Sequence, residues 1–157
     1  MKKTLIALVA IAITGFATPS FSQTVTLTLK NTTTCGNVDF VVHAHDCSLC
    51  THSGHCALNS NVITLGTGGS VTYTYVTDLN TTPGWQSSIT ASGGSGSDWD
   101  GVSFGSGPGC IQAVGVNACI STATSNVLTC TGCTYGWDGY LSVDSHGNIT
   151  VTVTDYN

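Results

Sequence analysis

The most chemically concentrated stretch of the chain is VVHAHDCSLCTHSGHC, residues 41–56. It holds four of the five histidines, His43, His45, His52 and His55, within 13 positions. His43 and His45 stand two apart, so on an extended strand both imidazoles project from one face. Two imidazoles on one face can share a Zn²⁺ or Cu²⁺ ion, and His52, His55 or Asp46 would complete the shell if the next loop folds back. A catalytic ion needs more: an open coordination position, a polarising pocket and a base. A small metalloenzyme is therefore the lesser reading of this segment. Cys47 and Cys50 have the spacing of half a structural zinc site, but in an exported chain disulfides account better for those thiols.

Gly101-Val102-Ser103-Phe104-Gly105 fits G-x-S-x-G. Asp138 or Asp144, and then His146, follow in the Ser, Asp, His order of α/β-hydrolases. That motif belongs on a strand–turn–helix elbow of a parallel sheet. No stretch after residue 22 shows the 3.6-residue apolar period of a helix, so the hydrolase reading is set aside. The expectation is a protein that is not an enzyme.

Trp99-Asp100-Gly101 recurs as Trp137-Asp138-Gly139. The repeat is expected to mark two equivalent turns leading into strands, with aspartate capping and glycine at positive φ. Read functionally, Trp85, Trp99 and Trp137 would offer flat apolar faces to a glycan, with Asp100 and Asp138 accepting bonds from sugar hydroxyls. Asp98-Trp99-Asp100-Gly101 also resembles part of a calcium loop. Ca²⁺ is the weakest metal expectation, because the chain has no glutamate to supply a bidentate ligand.

The elements that must position these groups are strands. Residues 24–30, 38–45, 71–75 and 149–154 alternate β-branched or aromatic residues with polar ones, a period of two. Weaker strands are expected at 61–66, 86–91, 101–105, 111–116 and 138–143. Gly66-Thr67-Gly68-Gly69 and Asp144–Asn148 read as hairpin loops, and the glycine-rich Ala91–Gly109 segment as a surface loop. The fold class is all-β: an antiparallel β-sandwich, Ig-like or jelly-roll-like, with a barrel as the alternative.

Met1 to Ser22 carries Lys2 and Lys3, an apolar run from Leu5 to Phe16, and small residues at Ser20 and Ser22. This is the pattern of a secretory signal, too short for a membrane span. Cleavage of those 22 residues from the 157 would leave 135, residues 23–157, expected to form a single domain. That segment carries one lysine, Lys30, against eight aspartates, a formal charge of −7, with no arginine or glutamate. One cation cannot neutralise a phosphate backbone, so nucleic-acid binding is excluded, and so is phosphate chemistry that depends on cationic clamps. No second apolar run reaches the length of a transmembrane helix.

Cys35, Cys47, Cys50, Cys56, Cys110, Cys119, Cys130 and Cys133 all follow residue 22. An even number in a small exported domain reads as disulfides, in an extracellular or periplasmic protein. Their grouping into 35–56 and 110–133 suggests bridges that stay within each group.

Threonines 24/26/28, 72/74 and 150/152/154 make three T-x-T faces. Ice-binding solenoids carry such arrays at a fixed repeat, which is absent here, so threonine is read as the solvent-face residue of strands short of charge. The two terminal strand patterns also lack protective charges. Pairing with each other inside the sandwich would hide their edges; exchange between subunits would instead build an assembly by strand addition. The expected function is that of a secreted or cell-surface binding module for an uncharged ligand, such as a glycan, or for a transition metal. A structural, self-associating subunit is the alternative.

Overall fold

Alternation decides which face of each strand is buried, and the fold follows from bringing those faces together. The computed structural model describes residues 26–46, 58–74, 89–90, 97–115 and 121–156, with backbone alone at 44–46, 58, 89–90 and 97–100. The expected signal segment, 1–22, lies outside them.

The strands are β1 Leu27–Asn31, β2 Val38–Asp46, β3 Leu58–Asn59, β4 Ile63–Leu65, β5 Ser70–Tyr73 and β6 Ile89–Thr90, followed by β7 Ser97–Gly107, β8 Cys110–Gly115, β9 Ser125–Leu128, β10 Trp137–Val143 and β11 Ile149–Asp155. There is no helix among the described residues. The first sheet has the order β5-β1-β11-β10-β9. The second runs β3-β2-β7-β6, with β4 also on β2 and β8 also on β7. The two sheets pack face to face and neither closes on itself, which makes a sandwich and rules out the barrel. Pairing is antiparallel except for β1 with β11 and β6 with β7, which run parallel.

The parallel pair resolves the question of exposed ends. β1 is flanked by β5 and β11, and β11 by β1 and β10, so both terminal strands lie inside the first sheet. Among the described residues its edges are instead β5 and β9, each four residues long. Short edges offer little backbone for unwanted pairing. On the solvent face Thr72, Thr28 and Thr150 stand side by side across three strands, with the hydroxyls of Thr28 and Thr72 3.0 Å apart.

The core forms between the inward positions. Leu27, Leu29, Ile149, Val151 and Val153 of the first sheet meet Val38, Phe40, Val42, Val102, Phe104 and Val114 of the second, and all are buried. Burial of each such side chain contributes roughly 1.5–3 kcal/mol. Gly139 faces inward on β10, and a methyl there would overlap the Phe104 ring from the opposite sheet. Glycine at 139 makes room for the Phe104 ring.

Three expectations need correction. The Gly66–Gly69 turn is closed by a 2.8 Å bond from the Gly69 N–H to the Gly66 carbonyl, but it is no hairpin. It carries the chain from β4 in the second sheet to β5 in the first. Within the expected loop 91–109, residues 97–107 are the longest strand, extending the strand expected at 101–105, with β2 on one side and β8 on the other. Their glycines and serines depress strand propensity, and pairing on both sides overrides it. β9 and β3 had no sequence expectation at all, being short and polar in pattern.

The third correction concerns the cysteines. Cys110–Cys130 stays within its group, with Cα atoms 5.6 Å apart. Cys35–Cys133 joins the two groups, with a Cα separation of 6.1 Å. Topology explains the crossing: Cys35 follows β1 and Cys133 precedes β10, and those strand ends flank β11 at one end of the sheet. A link across 98 residues stabilises by about 4–5 kcal/mol through lost chain entropy. Cys47, Cys50, Cys56 and Cys119 lie outside the described residues.

The same end is fastened by polar groups. Buried Asn31 donates to the carbonyls of Gly36 and Leu65 and accepts from the Thr33 N–H and hydroxyl. Asp155 accepts from the Thr34 N–H and hydroxyl at 2.9 and 2.7 Å. At the other end Asp144–Asn148 is a hairpin turn, as expected. The Asn148 side chain and the N–H groups of Asn148 and His146 donate to Asp144, holding its carboxyl below the usual carboxylate range.

Gly139→Ala should lower the thermal midpoint by roughly 3–10 °C, the effect of about 1–3 kcal/mol of overpacking. In a Phe104→Leu background the same change should be markedly less damaging, because the ring it would strike is gone. Thermal unfolding of the four proteins in this cycle measures that coupling.

Candidate functional site

On β2 the inward side chains are Val38, Phe40 and Val42, which leaves Asp39, Val41 and His43 on the outer face of the second sheet. On β7 Val102 and Phe104 point inward, which turns Gly101, Ser103 and Gly105 outward. The register sets Val41 opposite Ser103 and His43 opposite Gly101. Because Gly101 has no side chain, the imidazole has room to lean across to its diagonal neighbour, Ser103. The His43 Nε2 to Ser103 Oγ distance is 2.8 Å.

The other ring nitrogen is held from β3. Asn59 pairs with His43, and its Oδ1 lies 2.7 Å from His43 Nδ1. Buried Ser60 fixes that short strand in place. Its N–H donates to the Val42 carbonyl and its hydroxyl accepts the Val42 N–H, both at 2.9 Å. An amide oxygen only accepts, so His43 Nδ1 carries the proton. In the neutral ring Nε2 is then the bare nitrogen, and the Ser103 hydroxyl donates to it. The three side chains therefore fix one tautomer and one direction of proton donation.

Beside Ser103 the outer face opens into a groove of about 310 Å³, lined by Val41, Val62, Gly105, Pro108 and Ile111 among others. Val62 and Ile111 are 62% and 57% exposed, so the rim is apolar and faces solvent. Asp39 sits on the same face with its carboxylate accepting from the Thr64 hydroxyl at 2.6 Å.

The expected site residues fall as follows. His43 is in the trio just described. His45 lies two residues further on β2, and His52, His55 and Trp85 lie outside the described residues. No group of three or more His, Cys, Asp or Glu side chains is placed to hold a metal among the described residues. Trp99 and Asp100 lie on β7 at a register shift against β2 that passes over Asp100.

Both Trp-Asp-Gly triplets are in strands rather than at turns, and neither Gly101 nor Gly139 has a positive φ. Likewise, Asp98–Gly101 is extended strand and not a calcium-loop backbone. Trp137 is 1% exposed, a core residue rather than a glycan platform. Its Nε1 and the Oδ1 of Asp138 are buried without a hydrogen-bond partner among the described residues. His146 sits in the β10–β11 turn beside Ser145, so it is not the histidine that meets Ser103.

Sequence reasoning overlooked Asn59 and the pairing of His43 with Ser103. The one available signal was parity: His43 and Ser103 each alternate with buried residues, so each had to face outward. Nothing local shows that strands 60 residues apart would be neighbours. No helix among the described residues is long and apolar enough to cross a membrane. No protein-family model, curated protein or solved structure matches this chain, so geometry alone carries the reading of the site.

In ¹⁵N-labelled protein at neutral pH, His43 should show the Nδ1–H tautomer by its ring nitrogen shifts. Asn59→Leu should release it toward the Nε2–H form. An Nε2–H tautomer in the parent protein would contradict the assignment of the trio.

Proposed function

We propose that the protein is an exported binding module that takes an uncharged, partly apolar ligand on the outer face of its second sheet. The groove between β2, β7 and β8 carries this reading. An apolar trough with exposed Val62 and Ile111 at its rim is the kind of concave surface that small ligands fill, and Ser103 and Asp39 supply polar contacts at its floor. The scarcity of charge over the whole chain suits an uncharged ligand. Export is supported by the signal-like residues 1–22 and by the disulfides, which persist in oxidising compartments.

Other readings draw less support. A glycan platform loses Trp137 to the core. A metal site centred on His43 would have to displace its bonds to Asn59 and Ser103. Assembly by exchange of β1 or β11 would need those strands at an edge, and both lie inside a sheet.

The neutral fluorophore N-phenyl-1-naphthylamine should bind saturably to the purified protein. Val62→Asp and Ile111→Asp should each weaken that binding by roughly tenfold, about 1.4 kcal/mol, with the thermal midpoint unchanged because both positions are exposed. Fluorescence titration checks this. Binding that does not saturate, or that ignores both substitutions, would overturn the groove as the ligand site.

A further inference from the structure

Resting on the groove as the ligand site, we propose that Ser103 is an activated nucleophile toward an uncharged ester whose acyl chain lies in that groove. His43 is its base, and Asn59 is the residue that positions His43. The trio has the logic of a nucleophile, a base within hydrogen-bond reach, and a third group that orients the base. Both links are short: Ser103 Oγ to His43 Nε2 at 2.8 Å, and His43 Nδ1 to Asn59 Oδ1 at 2.7 Å. The tautomer is the required one, because Nε2 is free of its own proton and already accepts the serine's.

The surroundings support attack at Ser103. On a strand, residues two before and two after share a face. G-x-S-x-G therefore places Gly101 and Gly105 on either side of the hydroxyl, where any larger side chain would crowd an approaching carbonyl. Gly105 is required for a second reason, since a methyl there would overlap the Cys110 backbone carbonyl. Ser103 itself lines the groove, so an acyl chain lying along Val41, Pro108 and Ile111 brings its carbonyl to the hydroxyl. The motif thus serves here without the strand–turn–helix elbow of the α/β-hydrolases, and its histidine precedes the serine in the chain.

The chemistry balances as an acyl transfer followed by hydrolysis. Ser103 Oγ bonds to the ester carbonyl carbon as its proton passes to His43 Nε2. The tetrahedral adduct then breaks its bond to the leaving oxygen, which takes the proton from His43 and departs as the alcohol. Water gives a proton to His43 and adds to the acyl carbon. The bond to Ser103 Oγ breaks, the oxygen recovers that proton, and the carboxylic acid leaves.

The test uses an alkyl fluorophosphonate, which marks activated serines covalently, with peptide mapping of the full exported chain. Labelling of one site, on the peptide containing Ser103, is expected, and Ser103→Ala should lose it while keeping its circular dichroism and thermal midpoint. His43→Gln should slow labelling on the order of 10²–10⁴-fold. The labelling rate should rise with pH as His43 loses its proton. Asn59→Asp should move that midpoint upward, because a carboxylate beside Nδ1–H favours the imidazolium. Asp39, four residues along β2 on the same face, is unaltered in each variant.

No labelling while N-phenyl-1-naphthylamine still binds would overturn the nucleophile and leave the groove standing. Loss of both would overturn the two together. Labelling that persists in Ser103→Ala would also overturn the assignment.

Discussion

The register of β2 against β7 is the constraint on which the rest of the molecule depends. Eight residues of each strand pair, from Asp39 with Gly105 to Asp46 with Ser97. Because the side-chain period is two, this one alignment sends Phe40, Val42, Val102 and Phe104 into the core and turns Val41, His43 and Ser103 outward. A slip of β2 by one residue would bury His43 and expose Phe40, and a slip of β7 would bury the Ser103 hydroxyl and expose Phe104. Core and site are opposite faces of the same alignment, so stability holds the site in place. The strong hydrophobic commitment of one face is what allows precise polar geometry on the other.

The first sheet supplies what that arrangement packs against. β1 and β11 lie side by side in its interior, and their Leu, Ile and Val side chains form the opposing half of the core. The Cys35–Cys133 bridge and the Asn31 and Asp155 bonds fasten the end where these strands emerge. Such fastening matters for a chain so poor in charge. Surface ion pairs are scarcely available with a single lysine after residue 22, and threonine and serine hydroxyls take the solvent faces instead. The Thr28–Thr72 contact is one case, and the Asp144–Asn148 turn another, where short polar side chains bond to backbone or to each other.

Much of the fold was legible in the sequence because alternation is a local signal. Leu27 to Leu29, Val38 to Val42 and Ile149 to Val153 each announce a strand and its buried face. Residues 97–107 were harder, since Trp99, Val102 and Phe104 are all that break a run of Gly, Ser and Asp, and the strand depends on neighbours that local pattern does not reveal. The inter-group disulfide was hidden for the same reason: closeness of Cys35 and Cys133 follows from sheet order, not spacing. The site was half legible. His43 stood out by clustering and Ser103 by its flanking glycines, but their meeting, and the part of Asn59, needed the pairing of three separate segments. The Trp-Asp-Gly repeat misled because Trp137 satisfies a packing need of the core.

Cross-strand nuclear Overhauser contacts test the β2–β7 register most directly. Val42 spends its N–H and C=O on Ser60, so toward β7 it is a non-hydrogen-bonded position, where opposing α-carbons approach to about 4.5 Å. Strong contacts between α-protons are therefore expected for Phe40 with Phe104 and for Val42 with Val102, together with contacts from the His43 ring to the Ser103 β-protons. Contacts displaced by one residue, such as Val41 with Val102 through their α-protons, would contradict both the core and the site at once.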